Sequence, residues 1–195
     1  MQEIQNIIQK SIDVKQQLLS DKNLLDVTQK VCAEMIHAFQ SQKKVLFCGN
    51  GGSAADAQHI AAELSGKFYL DRDPLPAEAL HVNTSFLTAV ANDYSYAEVF
   101  SRMVRAQGKK GDMLIALSTS GNSENVVNAI LAAQKAEMVI VGLTGHSGGK
   151  MKSLCQYLLN VPSNDTPRIQ ECHIMLGHII CEIVEKTLFQ HKKSL

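Results

Sequence analysis

The chain carries no surplus charge. Acidic and basic residues number 19 each, so the formal net charge is zero. That balance argues against nucleic acid or an anionic membrane surface as a partner. No apolar run approaches the ~18 residues of a membrane-spanning helix. Residues Met1 to Lys10 are polar and amphipathic, unlike the apolar centre of a signal peptide. The five cysteines, Cys32, Cys48, Cys155, Cys172 and Cys181, form no C-x-x-C pair. An odd count without zinc spacing predicts reduced, mostly buried thiols and a cytoplasmic protein.

Glycine and proline are also missing from the first forty residues, and two uninterrupted helices are expected there. Ile4, Ile8 and Ile12 recur at helical spacing, with Ile7, Leu18 and Leu19 widening the stripe. Ser20 or Asp21 can cap the second helix, whose apolar face uses Leu25, Val31, Met35, Ile36 and Phe39. Residues 1–43 thus read as a helical extension that packs on the main domain, residues 44–195, and on another subunit.

At 195 residues and 45% apolar content, the chain can bury one sizeable core. After Lys44, short apolar runs alternate with helical patterns. Strands are expected at 45–48, 78–82, 113–117 and 138–143, with a last short one within 154–161. Helices are expected at 54–64, 84–90, 96–106, 124–136 and 166–190, the last with Pro167 in its first turn. Residues 70–76, with two prolines, read as a loop. Strands alternating with helices predict an α/β fold with a parallel sheet covered on both faces. Ligands of such sheets bind beyond the carboxyl ends of the strands.

Two strand-to-helix turns lie at those ends. The first is Gly49-Asn50-Gly51-Gly52-Ser53, where glycines let backbone N–H groups approach an anion at a helix N-terminus. Gly49, Gly51 and Ala54 also satisfy a dinucleotide fingerprint. That reading needs an acidic residue about twenty positions on, closing the next strand. Here Asp71 and Asp73 fall in the proline loop, so it lacks its second anchor. The second turn is Ser118-Thr119-Ser120-Gly121-Asn122-Ser123. One hydroxyl suffices for a helix cap. Four around a glycine suit a phosphate group.

His59 and Glu63 share one helical face just behind the first turn. Either a surface pair or a metal or proton-transfer site fits that spacing. Gln170 and His178 lie on broadly one side of the long last helix, about 12 Å apart in rise. His173 competes with His178 for any role there. Gln170 is an unusual metal ligand, and spacing does not select it.

These three segments, Val45–Ser53, Ser118–Ser123 and Arg168-Ile169-Gln170-Glu171, resemble the sugar isomerase (SIS) family. The resemblance runs from about Lys44 to Glu185. It implies a five-stranded parallel sheet of flavodoxin-like order, a helical N-terminal extension and a homotetramer with sites near subunit boundaries. It implies interconversion of a ketose and an aldose phosphate. In the branch most resembled, sedoheptulose 7-phosphate becomes D-glycero-D-manno-heptose 7-phosphate, toward ADP-heptose and the lipopolysaccharide core. Asn50, Gly51, Gly52 and Ser53 match the family's substrate loop, Asn92 and Asp93 a second contact, and Ser118, Thr119, Ser120 and Ser123 its phosphate site. Gln170 matches both a substrate contact and, with His59, Glu63 and His178, a zinc-ligand set. Glu63 and His178 also match the proposed base and acid. Lys67 departs from an arginine common in the isomerases, and loses its planar fork.

A relative of the same fold associates with the replication initiator DnaA and is not known as an isomerase. It lacks the residues matching Glu63 and His178, although the Thr187–His191 ending resembles it. A regulatory sugar-phosphate sensor would need the two turns but neither Glu63 nor His178.

Overall fold

The apolar runs pair into one sheet in the computed structural model, which describes residues 1–190. Five parallel strands, β1 (Val45–Cys48), β2 (Ala77–Ala79), β3 (Met113–Leu117), β4 (Val139–Thr144) and β5 (Tyr157–Asn160), lie in the order β2-β1-β3-β4-β5. In register, Phe47 of the interior strand β1 stands between Ala79 and Ile115. Every residue of β1 and β3 is buried.

Successive side chains point to opposite faces of a strand, so each run feeds two layers. Val45, Phe47, Met113, Ile115 and Leu117 enter the layer built by α2 (Lys22–Gln40), α3 (Gly52–Ser65) and α7 (Thr166–Phe189). Leu46, Cys48, Leu114 and Ala116 enter the other, built by α4 (Thr84–Asp93), α5 (Val99–Gln107) and α6 (Glu124–Lys135). The α/β class, the parallel sheet and its five strands are those the sequence and its resemblance led us to expect.

Differences lie at the element ends. The first main-domain helix starts at Gly52, with Gly51 as N-cap. The second strand shrinks to Ala77–Ala79, because the chain turns at once and Val82 N–H donates to Ala79 O. The 96–106 helix opens as a 3-10 turn, Tyr96–Glu98, before α5. Asp21 rather than Ser20 caps α2, accepting Leu24 N–H at 3.0 Å. Gln190 is the last described residue, so His191 of the Thr187–His191 ending lies outside.

The helical prefix divides in two. Helix α2 contributes Leu24, Val31, Cys32 and Met35 to the core. Helix α1 (Gln2–Ser20) buries only Leu18. It is fastened to α7 by polar bonds: Ser11 Oγ to Glu171 Oε2 at 2.6 Å, and Arg168 Nη1 to Ile7 O at 3.0 Å. All five cysteines are free thiols. Burial pushes Cys32 up to about 11 and Cys155 and Cys181 up to about 12, so none is poised as a nucleophile. Among the described residues no helix is long and apolar enough to cross a membrane.

A buried ionic clip closes the α3 side. Arg72 Nε donates to Glu185 Oε2 of α7 at 2.9 Å, with both side chains 2% exposed. Its other nitrogens donate to the carbonyls of Glu63, Leu64, Gly66 and Asp73, the first at 3.0 Å. The Glu185 carboxylate also accepts the N–H groups of Phe68, Tyr69 and Leu70 at 3.0, 2.7 and 2.9 Å. Burial alone would raise its pKa, but these donors outweigh burial and hold it below the ordinary 4.5.

A carboxyl lowered in the fold adds stability above its unfolded pKa, and that contribution is lost as pH falls through the folded value. Glu185→Gln leaves Arg72 buried without a counter-charge, so we expect a loss of ~3–5 kcal/mol in urea unfolding at neutral pH. The wild-type decline in stability below pH 4.5 should flatten in this variant. An unchanged urea midpoint would show that the clip is not a stabilising element.

Candidate active site

Strand order reverses around β1 and β3, and their carboxyl ends form the crevice where parallel sheets bind ligands. Both turns open there. In the first, Gly51 has φ 56, a left-handed conformation that side chains rarely adopt, and no side chain caps α3. Ser53 and Ala54 N–H donate to Asn50 O and Gly51 O at 3.0 and 3.1 Å, and the positive end of the α3 dipole still favours an anion at the turn. Gly51 and Gly52 are exposed, Asn50 is half-buried and Ser53 is buried. Asn50 is held by Asn125 of α6, each amide donating to the other's oxygen at 2.9 Å, and by the Tyr96 hydroxyl at 3.3 Å. Asn125 and Tyr96 were not found from sequence. An asparagine at the second position of a helix, buried to 4%, becomes informative only once its partner is known.

In the second turn the hydroxyls face one another. Ser118 Oγ lies 2.9 Å from Ser123 Oγ and 3.4 Å from Ser120 Oγ. Ser123 occupies the N-cap position of α6, yet its side chain caps nothing. Capping therefore does not account for it. Ser120 Oγ accepts Asn122 N–H at 3.1 Å, and Asn122 Oδ1 accepts Lys150 N–H at 3.0 Å, which braces the turn. Thr119 is half-buried beside them. The hydroxyls stand before the N-terminus of α6, where an anion is favoured.

Helices α3 and α7 bring together His59, Glu63 and His178. Their ligating atoms all lie within 4.8 Å of one another. His178 Nε2 is 3.0 Å from His59 Nε2, which is itself 3.2 Å from Glu63 Oε1. One N–H on His59 cannot donate to Glu63 while that same nitrogen accepts from His178. The group thus presents convergent lone pairs that call for a shared proton or a cation. Phe68, from the loop after α3, packs its ring 5.8 Å from that of His178. Gln170 lies against the first turn: a Cβ on Gly52 would stand 2.5 Å from its Nε2.

Other expected residues are placed differently. Asn92 and Asp93 sit exposed at the end of α4, and among the described residues their side-chain bond is to each other, at 2.9 Å. Lys67 is exposed. His173 is fully buried, with Nε2 3.2 Å from Thr144 O.

Zinc takes histidine nitrogen and carboxylate oxygen at ~2.0–2.1 Å, which makes the edge of a tetrahedron about 3.3–3.4 Å. The observed separations of 3.0 and 3.2 Å are close to that edge. The residues present fit such an ion.

A family model described as a SIS domain matches residues 11–145. The chain is 51% identical over 189 residues to a phosphoheptose isomerase from Aneurinibacillus thermoaerophilus, covering 97% of this chain and 96% of that one. It is 54% identical over 185 residues to a phosphoheptose isomerase from Clostridium acetobutylicum, covering 95% and 94%. Among solved structures, a phosphoheptose isomerase from Neisseria gonorrhoeae superposes with TM-score 0.89 at 42% identity, covering 95% of this chain and 98% of that one. One from Francisella tularensis gives 0.90 at 34%, covering 95% and 97%. With its sheet order, its two strand-to-helix turns and this similarity over nearly its whole length, the chain belongs to the SIS-domain family, within the phosphoheptose isomerases.

Proposed function

We propose that the protein isomerises sedoheptulose 7-phosphate to D-glycero-D-manno-heptose 7-phosphate, the first step toward ADP-heptose for the lipopolysaccharide core. The observation that carries this is the convergence of His59, Glu63 and His178 in one group, in a fold that also presents the hydroxyl turn. Relatives named phosphoheptose isomerase support the substrate. Together with Glu63 and His178 they favour an enzyme over the initiator-associating relative.

In this reading Ser118, Thr119, Ser120 and Ser123 hold the phosphate, and its binding energy orients the reacting end. Asn50, Gly51, Gly52, Ser53, Asn92, Asp93 and Gln170 bind the sugar. Glu63 removes a proton from C1 while His178 protonates the C2 oxygen, which forms an ene-diol. Glu63 then returns its proton to C2, and the O1 proton passes back to His178. His59, Glu63, Gln170 and His178 would hold one zinc ion per subunit, which supplies polarisation of the sugar oxygens. The protein works as a cytoplasmic homotetramer assembled through α1, whose Ile4, Ile7, Ile8 and Ile12 are exposed as one apolar stripe.

Glu63→Gln should lower turnover ~10²–10⁴-fold with the fold intact, because an amide cannot take up the proton. The assay uses sedoheptulose 7-phosphate with and without chelator, beside elemental analysis. Near-wild-type turnover would remove Glu63 as the base. Full activity without bound metal would leave Glu63 and His178 as a metal-free pair.

Ser123→Ala should raise KM for the sugar phosphate roughly ten- to a hundredfold, the worth of a hydrogen bond to a charged group. Its melting temperature should change little, since no cap bond is lost and Ser118 Oγ, which loses Ser123, keeps Ser120 Oγ at 3.4 Å. A lowered melting temperature beside an unchanged KM would return this serine to helix capping.

Ile8→Asp should dissociate the assembly in sedimentation at micromolar concentration, where the wild type runs as a tetramer. A monomeric wild type would refute the assignment of α1.

A further inference from the structure

A sugar phosphate is gripped at one end and reacts at the other, so the two ends of its site must be held at a fixed separation. The hydroxyl turn follows β3, whereas Gln170 and His178 stand on α7. Between the two α7 residues lies His173, with 0% exposure. Its Nε2 is 3.2 Å from the backbone oxygen of Thr144, the last residue of β4. A carbonyl only accepts, so the ring carries its proton on Nε2 and donates. Burial pushes its pKa down to about 4, and the ring is neutral near pH 7.

The end of β4 is bonded in turn to the hydroxyl turn. Ser118 N–H donates to Leu143 O at 3.0 Å, and Gly145 N–H donates to Thr119 O at 2.9 Å. The space beside Gly145 is closed: a Cβ there would stand 2.6 Å from Ile169 Cδ1 of α7 and 2.8 Å from Thr119 O. A continuous path therefore runs from α7 through His173 and the tip of β4 to Ser118 and Thr119.

Packing alone does not select histidine at this position. Among the described residues, His173 Nδ1 is buried without a hydrogen-bond partner, and so is Thr144 Oγ1. Unpaired polar atoms in a core cost stability, and an apolar side chain would remove the unpaired nitrogen. The single bond from Nε2 to Thr144 O is what histidine contributes.

We propose that His173 is a positioning residue that sets the separation between the phosphate turn and the reacting group on α7. It touches neither substrate nor reacting atoms. The inference rests on the isomerase function proposed above.

The test compares His173→Leu, His173→Asn and His173→Gln in steady-state turnover of sedoheptulose 7-phosphate, competitive inhibition by inorganic phosphate and thermal melting. Glutamine can place an amide N–H near the position of Nε2, whereas asparagine reaches only that of Nδ1. A misplacement near 1 Å costs about 10²-fold in rate, so the Leu and Asn variants should lose roughly tenfold or more in kcat. Inhibition by phosphate should stay within about twofold, because phosphate alone does not sense the reacting end. The Gln variant should keep kcat within about threefold of wild type.

Should the Leu variant fail to fold, the Gln and Asn pair carries the comparison. A Leu or Asn variant with wild-type kcat would overturn the inference, as would equal losses in Gln and Asn. Phosphate inhibition that weakens in step with kcat would also overturn it, since that marks general collapse of the turn. A wild type inert to the sugar phosphate would remove the proposed function and this inference with it. An active wild type with insensitive variants would remove the inference alone.

Discussion

The site depends on a buried carboxylate outside the His59–Glu63–His178 group. Glu185, near the end of α7, gathers three backbone N–H groups and the Arg72 guanidinium, and Arg72 in turn grips the carbonyl of Glu63. The last turn of α3 and the later turns of α7 are thereby joined through one buried ion pair. An ion pair out of water adds little net stability when compared with apolar packing, but breaking it is costly. Its use here is register. It tethers the backbone of Glu63 to the helix that carries His178.

Around that tether the fold distributes its work by layer. The α3–α7 layer carries the His59–Glu63–His178 group, and the opposite layer carries α6 behind the serine turn. The reciprocal amides of Asn50 and Asn125 cross between them at the mouth of the crevice. The sheet is thus a spacer between the serine turn and the His59–Glu63–His178 group.

Much of this was legible in the sequence because it rests on local rules. Alternating strand faces, a glycine turn before a helix and excess hydroxyls at a helix start each leave a mark within ten residues. His59 and Glu63 were legible as a pair because helical spacing puts them on one face. His178 and His173 could not be ranked by spacing. Five residues on a helix turn about 140°, so one of them had to face away, but only the packing of α7 says which. Asn125, Tyr96, Phe68 and Arg72 were invisible for the same reason. Each acts on a residue distant in the chain, and an isolated Asn, Tyr, Phe or Arg carries no sign of its partner. Strand and helix ends moved by a few residues where a turn competed with regular pairing, as at Val82.

Helix α3 also meets α7 at Gly177. Gly177 presents no side chain, and Ile60 fills the space so fully that a Cβ there would overlap its Cδ1. Ile60 and Gly177 are the chain neighbours of His59 and His178, whose nitrogens stand 3.0 Å apart. The gap between the two imidazoles is therefore gauged by the thickness of one hydrocarbon branch lying on bare backbone. Charged groups respond to ionic strength and acidity, but an isoleucine does not. The His59–Glu63–His178 group takes its dimensions from a part that neither salt nor acid can alter.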